Sequence, residues 1–199
     1  MRIAIIGAGN VGGALGAAFG SAGHQVVFGV RDPSSDKARA AVAGAKGSRA
    51  TKPDAVDDAD VVLIALRWDA VAETVTSLPS LEGRVVIDAM NRLAGASTRS
   101  STQDLADLLP GARVVKAFNT TGFENMTTAR DRRTKAAMFV AGDDAEAKRM
   151  TMGLAADIGF EPYDAGPLEN AKALEDMVKV WLVMTREHGR RIAYAITKD

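Results

Sequence analysis

Four apolar residues, Ile3-Ala-Ile-Ile6, run directly into Gly7-Ala-Gly-Asn-Val-Gly12. A buried strand that breaks at once into a glycine-rich helix start restricts the fold more than any other feature of the chain. The spacing G-x-G-x-x-G assigns each glycine a task. Gly7 makes the tight turn, Gly9 leaves room for a pyrophosphate against the backbone, and Gly12 lets the helix pack on the strand. Asn10 and Val11 open that helix, whose unpaired N–H groups and positive dipole end favour phosphate. The context supports this reading. An Ala/Gly/Leu/Phe helix is predicted from Val11 to about Ala22, followed by a second strand-like run, Gln25-Val-Val-Phe-Gly-Val30. The competing reading is a glycine-rich turn with no ligand.

Composition narrows the class. Apolar residues make up 47% of the 199, enough for a substantial core. Residues 1–199 are expected to form a single dinucleotide-binding domain, with 1–142 as the nucleotide-binding core and 143–199 as a C-terminal α-β-α extension. The 25 basic and 25 acidic residues cancel, which argues against nucleic acid or an anionic membrane as partner. Aromatic residues, at 5%, supply no stacking platform for bases. The first twenty residues lack the unbroken apolar core of a secretory signal. No later stretch approaches the roughly 20 apolar residues of a membrane span. The absence of Cys fits a reducing compartment, so a soluble cytoplasmic protein is expected.

Strand-like and helix-like segments alternate along the whole chain. Further strands are predicted at 60–66, 84–88, 112–117, 136–141 and 160–163. Helices are predicted at 38–45 (a plain surface helix), 68–77, 101–109, 143–157 and 168–191, with Asp143-x-x-Glu146 as a capping box. This alternation implies an α/β, doubly wound, mostly parallel sheet of the Rossmann NAD(P)-binding type with a C-terminal helix. Ligands in such sheets bind beyond the carboxyl ends of the strands. The residues there are Arg31-Asp-Pro-Ser-Ser35, Arg67-Trp-Asp69, Asp88-Ala-Met-Asn91 and Phe118-Asn-Thr-Thr121.

Arg31 follows the second strand, where NAD sites carry a ribose-binding acid. A guanidinium there suits a 2′-phosphate and points to NADP, with Ser34 or Ser35 adding a hydroxyl. If the strand ran two residues further, Asp32 would be the ribose acid and NAD the cofactor. Pro33 opposes that by holding Asp32 extended at the turn.

With these residues in view, the chain resembles the F420-dependent NADP oxidoreductase family and its relatives, the oxidoreductase domains of metalloreductases. The resemblance runs nearly full length. It is carried by the glycine loop, Gly29-Val-Arg31, Leu66-x-Trp68, Val114-Val-Lys-Ala-Phe-Asn119, Gly142-Asp-Asp144 and Asp164-Ala-Gly-Pro-Leu168. It implies hydride transfer between NADP(H) and a flavin-like acceptor: coenzyme F420, FAD or FMN. By the same resemblance Gly7, Gly9, Asn10 and Val11 form the phosphate turn, Arg31 recognises the 2′-phosphate, and Leu66 to Trp68 border the nicotinamide. Val30 replaces the family's usual Ser, removing one phosphate hydrogen bond. Arg67 replaces its Pro, placing a cation beside the nicotinamide.

Such a transfer needs positioning rather than acid–base groups. Accordingly no catalytic residue and no metal site is expected. His24 and His188 are read as turn and helix-end residues. Asn91 and Asn119 are expected to border the reacting rings, where an amide can orient a carboxamide or ring carbonyl without titrating. Two alternatives stand beside this reading. One is an NADPH-binding sensor without catalysis. The other is a small imine or β-hydroxyacid reductase, although only about one long helix follows residue 167. On the last helix, Ala171, Leu174, Met177, Val178, Trp181, Leu182 and Thr185 share a stripe. Met177, Trp181 and Met184 exceed what one stripe needs, so a homodimer through this helix is expected.

Overall fold

The computed structural model describes residues 1–45, 47–93 and 97–197. Its strands are β1 (Arg2–Ile6), β2 (Gln25–Val30), β3 (Ser48–Thr51), β4 (Val61–Ile64), β5 (Val85–Asp88), β6 (Arg113–Lys116), β7 (Ala137–Gly142) and β8 (Glu161–Asp164). They lie in one sheet in the order β3-β2-β1-β4-β5-β6-β7-β8. All neighbours are parallel except β6 and β7, which pair antiparallel through Val115↔Gly142 and Lys116↔Ala141. The helices are α1 (Asn10–Ser21), α2 (Asp36–Ala45), α3 (Lys52–Asp57), α4 (Val71–Thr76), α5 (Ser101–Leu108), α6 (Ala145–Asp157) and α7 (Ala171–His188).

Side chains alternate across a strand, so each strand feeds two cores. Ile3 and Ile5 of β1 join Leu15 and Phe19 of α1 on one face. Ala4 and Ile6 join Val56 of α3 and Val75 of α4 on the other. All four residues of β4 are fully buried, which is why its sequence is an unbroken apolar run. Each such aliphatic side chain contributes about 1.5–3 kcal/mol. The chain leaves β1 for β2 on one side, and β4 lies on the other. The order therefore reverses at the carboxyl ends of β1 and β4, where a crevice opens.

Several boundaries differ from expectation. β3 and α3 were not expected, because Ser48–Thr51 is a largely exposed edge strand with no apolar period. Helix α6 is capped by Asp144, which accepts the N–H of Ala147 at 2.7 Å. Asp143 instead accepts the N–H of Leu168, so the expected capping box does not form. A capping box does form at α5, between Ser100 and Gln103. Helix α2 is less superficial than expected, since Ala38 and Ala45 are buried. His24 wedges edge-on against the Phe19 ring and reaches Asp157 at 3.2 Å, a structural contact.

The largest correction concerns Trp181. Beyond α7 the chain folds back over the molecule. The Trp181 indole N–H donates to the Ile192 carbonyl at 2.9 Å, and the Ala137 N–H donates to the Tyr194 carbonyl at 2.8 Å. Trp181 is 3% exposed, so it belongs to the interior and not to an interface. Among the described residues no helix is long and apolar enough to cross a membrane.

Candidate functional site

The crevice is a cleft of about 840 Å³ over the carboxyl ends of β1, β2, β4 and β5. Its floor is the β1–α1 loop. Gly7 adopts φ +118°, and a Cβ there would meet the Ala65 carbonyl oxygen at 2.3 Å. A Cβ on Gly12 would meet the Gly7 carbonyl oxygen at 1.9 Å. Gly12 therefore packs beneath the loop and does not line the cleft. Gly9 differs from both, because a Cβ there would find no atom within 4 Å. The loop is compressed from below and bare above. Helix α1 starts on Gly9 with no side-chain cap and no acid in its first turn. The N–H groups at Asn10 and Val11 thus meet the cleft as unopposed donors at the positive end of a helix.

At one end of the cleft β2 ends at Val30, and Arg31 is exposed on the lining. Asp32 also lines the cleft, but its carboxylate is engaged locally. It accepts the Ser34 N–H at 2.8 Å and the Ser34 hydroxyl at 2.6 Å. The Ser34 hydroxyl and then the Ser34 N–H hold Asp32 below the usual carboxylate range. This turn occupies Ser34, which lies outside the lining, and brings Ser35 into it. Arg39 donates to the Ser34 carbonyl and Arg49 to the Pro33 carbonyl, bracing the turn from outside.

At the other end stand Leu66, Arg67, Met90 and Asn91. Arg67 reaches out to Asp69 through Nη2 at 2.7 Å and Nε at 3.2 Å, and its side chain is 86% exposed. The Asp69 hydrogen bond and charge raise its pKa above the usual guanidinium value. Its charge is therefore already partnered at the rim. Trp68 lies under the Arg92 guanidinium at 4.3 Å. Asn91 is tied to buried Asn119 in both directions. Asn91 Nδ2 donates to the Asn119 carbonyl at 3.0 Å, and Asn119 Nδ2 donates to Asn91 Oδ1 at 3.0 Å. Asn119 also donates to the Leu174 carbonyl at 2.9 Å and does not itself line the cleft. Phe118, just before it, is the only non-glycine residue with positive φ (60°) among those described. That left-handed conformation costs about 1–2 kcal/mol and turns the chain out of β6 toward Asn91.

Sequence reasoning missed the groups behind this wall. Lys116, fully buried at the end of β6, donates to Asp88 Oδ2 at 3.1 Å, Glu175 Oε1 at 3.0 Å, Ser101 Oγ at 3.2 Å and the Met90 carbonyl at 2.6 Å. Thr102 Oγ1 donates to Asp88 at 2.8 Å, and the Met90 N–H donates to its other oxygen at 2.7 Å. The cluster joins β5, β6, α5 and α7 and anchors the Met90–Asn91 segment from behind. The available signal was a charge closing each of two apolar runs, Val85-Val-Ile-Asp88 and Val114-Val-Lys116.

Residues 2–92 match the family described as NADP oxidoreductase, coenzyme F420-dependent. The F420-dependent NADP reductase of Methanothermobacter thermautotrophicus is 30% identical over 99% of this chain and 95% of its own. Metalloreductase STEAP3 of Rattus norvegicus is 27% identical over 87% of this chain, which spans only 36% of that protein. Among solved structures, one from Arthrobacter sp. FB24, provisionally named an F420-dependent NADP reductase, superposes with TM-score 0.89. It is 24% identical, with both chains fully covered, and shows the shared fold.

Proposed function

Because the chain belongs to the F420-dependent NADP oxidoreductase family, we propose that it passes a hydride between NADP(H) and a flavin-like ring: coenzyme F420, FMN or FAD. The observation that carries this reading is the bare backbone above Gly9, at an uncapped helix start, inside a cleft that runs from Arg31 to Asn91. The residues present fit the cofactor. Gly7, Gly9, Asn10 and Val11 form a cradle for its pyrophosphate, and Arg31 faces the 2′-phosphate. Leu66 and Met90 offer apolar walls to the nicotinamide. NADPH held there would supply a hydride, carrying two electrons, to a flavin-like ring, with one proton from solvent completing the reduced acceptor. The chain's own contribution is to hold, orient and desolvate. Asn91, fixed by Asn119, presents an amide that orients a carboxamide or ring carbonyl.

Arg31→Ala tests the cofactor assignment. NADPH affinity is expected to fall roughly tenfold or more, the worth of a charge-assisted phosphate contact, while NADH affinity is unchanged. Titration of both cofactors against both proteins reads this directly. Equal affinities in the wild type, or an equal loss in the variant, would overturn it.

We further propose a twofold dimer through the outer face of α7. Val180, Val183 and Met184 are 57%, 59% and 44% exposed within one turn, an unusual apolar surface for a helix in water. Light scattering is expected to give twice the chain mass, and the double variant Val180→Glu/Val183→Glu the single mass. A wild-type monomer at micromolar concentration would contradict it.

A further inference from the structure

Besides Arg31 and Arg67 the cleft is lined by a third cation, Lys52, that no motif predicts. β2 and β3 pair in parallel with Gly29 opposite Ala50 and Val30 opposite Thr51. The next residues, Arg31 and Lys52, therefore follow the ends of neighbouring strands. Both line the cleft. The Lys52 backbone packs over β2, since a Cβ on Gly29 would sit 3.2 Å from its Cα. Its ammonium is half-buried and donates to the hydroxyl of buried Thr74 at 3.2 Å, across the cleft from β2. One of its three hydrogens is used in that bond and two remain. Among the described residues neither Arg31 nor Lys52 forms an ion pair.

The local charge balance gives this placement meaning. Asp32 lines the cleft as well, and the Ser34 turn keeps it anionic. Arg31 and Asp32 cancel, so the pair alone would not favour a phosphate dianion. Lys52 makes the balance positive. Resting on the reading that the cleft takes NADP(H), we propose that Lys52 is a specificity-determining residue. It forms, with Arg31, a two-cation subsite for the phosphomonoester on the adenosine ribose. Thr74 holds its ammonium in the cleft lining.

Calorimetric titrations of wild type, Lys52→Gln, Lys52→Arg and Arg31→Ala with NADPH, NADH, 2′-AMP and 5′-AMP test this. Thermal melting confirms that each variant is folded. Lys52→Gln is expected to weaken NADPH and 2′-AMP roughly tenfold, with NADH and 5′-AMP unchanged. Lys52→Arg is expected to restore most of the loss, since it keeps the charge. An equal loss of NADPH and NADH in Lys52→Gln would make Lys52 a wall of the adenosine pocket and overturn the proposal, as would no loss at all. If Arg31→Ala is selective and Lys52→Gln is not, this inference alone fails. If neither is selective, the NADP assignment fails with it.

Discussion

Replacing Gly9 with Val is expected to abolish NADPH binding, by a hundredfold or more, while the protein melts within a few degrees of wild type. The backbone of Gly9 is extended, with φ −83° and ψ −167°, a conformation open to any residue. An added Cβ meets no protein atom within 4 Å, so the fold accommodates it. Valine is a poorer helix start than glycine, which costs on the order of 1 kcal/mol. The two methyl groups would instead fill the space above the first N–H groups of α1, where a pyrophosphate would lie. Losing two or three charge-assisted bonds at about 1.5–3 kcal/mol each corresponds to more than a hundredfold in affinity. Gly12→Val is the contrasting control. Its Cβ would overlap the Gly7 carbonyl at 1.9 Å, so the fold itself should fail. A Gly9→Val protein with normal NADPH affinity would show that this loop is not the phosphate site.

The second large effect is on stability. Lys116→Met is expected to cost about 3–5 kcal/mol, because it leaves the carboxylates of Asp88 and Glu175 buried without their cation. For a chain of this size that lowers the melting temperature by roughly 10 °C. The Met90 carbonyl also loses its 2.6 Å donor, so the Met90–Asn91 segment loses its anchor. Adding Glu175→Gln to Lys116→Met removes one uncompensated charge and is expected to recover part of the loss. Scanning calorimetry on the wild type, the single variant and the double variant checks both statements. A Lys116→Met protein melting with wild type would mean that the cluster contributes no net stability.

The parts of this architecture legible in the sequence are those where a period or a special residue has a single physical cause. β1, β4 and β5 announce themselves by apolar runs because both their faces are covered by helices. The β1–α1 loop is legible because Gly7 and Gly12 stand where a side chain would strike a carbonyl. Arg31 is legible because β2 ends where its apolar run ends. What stayed hidden depends on partners distant in sequence. Ser48–Thr51 becomes a strand only because β2 offers it an edge, so Lys52 could not be placed on the cleft lining beforehand. The antiparallel turn into β7 is set by the 117–136 connection, which has no regular period. Glu175 sits on the buried face of α7 between Leu174 and Val178, and its role appears only once Lys116 faces it across 59 residues of chain. Trp181 fitted the stripe of α7, but its cover comes from the returning segment at Ile192, which carries no periodic signal.

The proposed reaction is hydride transfer from NADP(H), held in this cleft, to a flavin-like ring. It is tested most directly by anaerobic incubation of the protein with NADPH and, separately, coenzyme F420, FMN and FAD, following reduced-nicotinamide absorbance and acceptor absorbance together. At least one acceptor is expected to be reduced in step with NADPH oxidation, one for one, and Gly9→Val is expected to abolish the reaction. Tight NADPH binding with no oxidation by any of the three acceptors would contradict it and leave the cleft a binding site without chemistry.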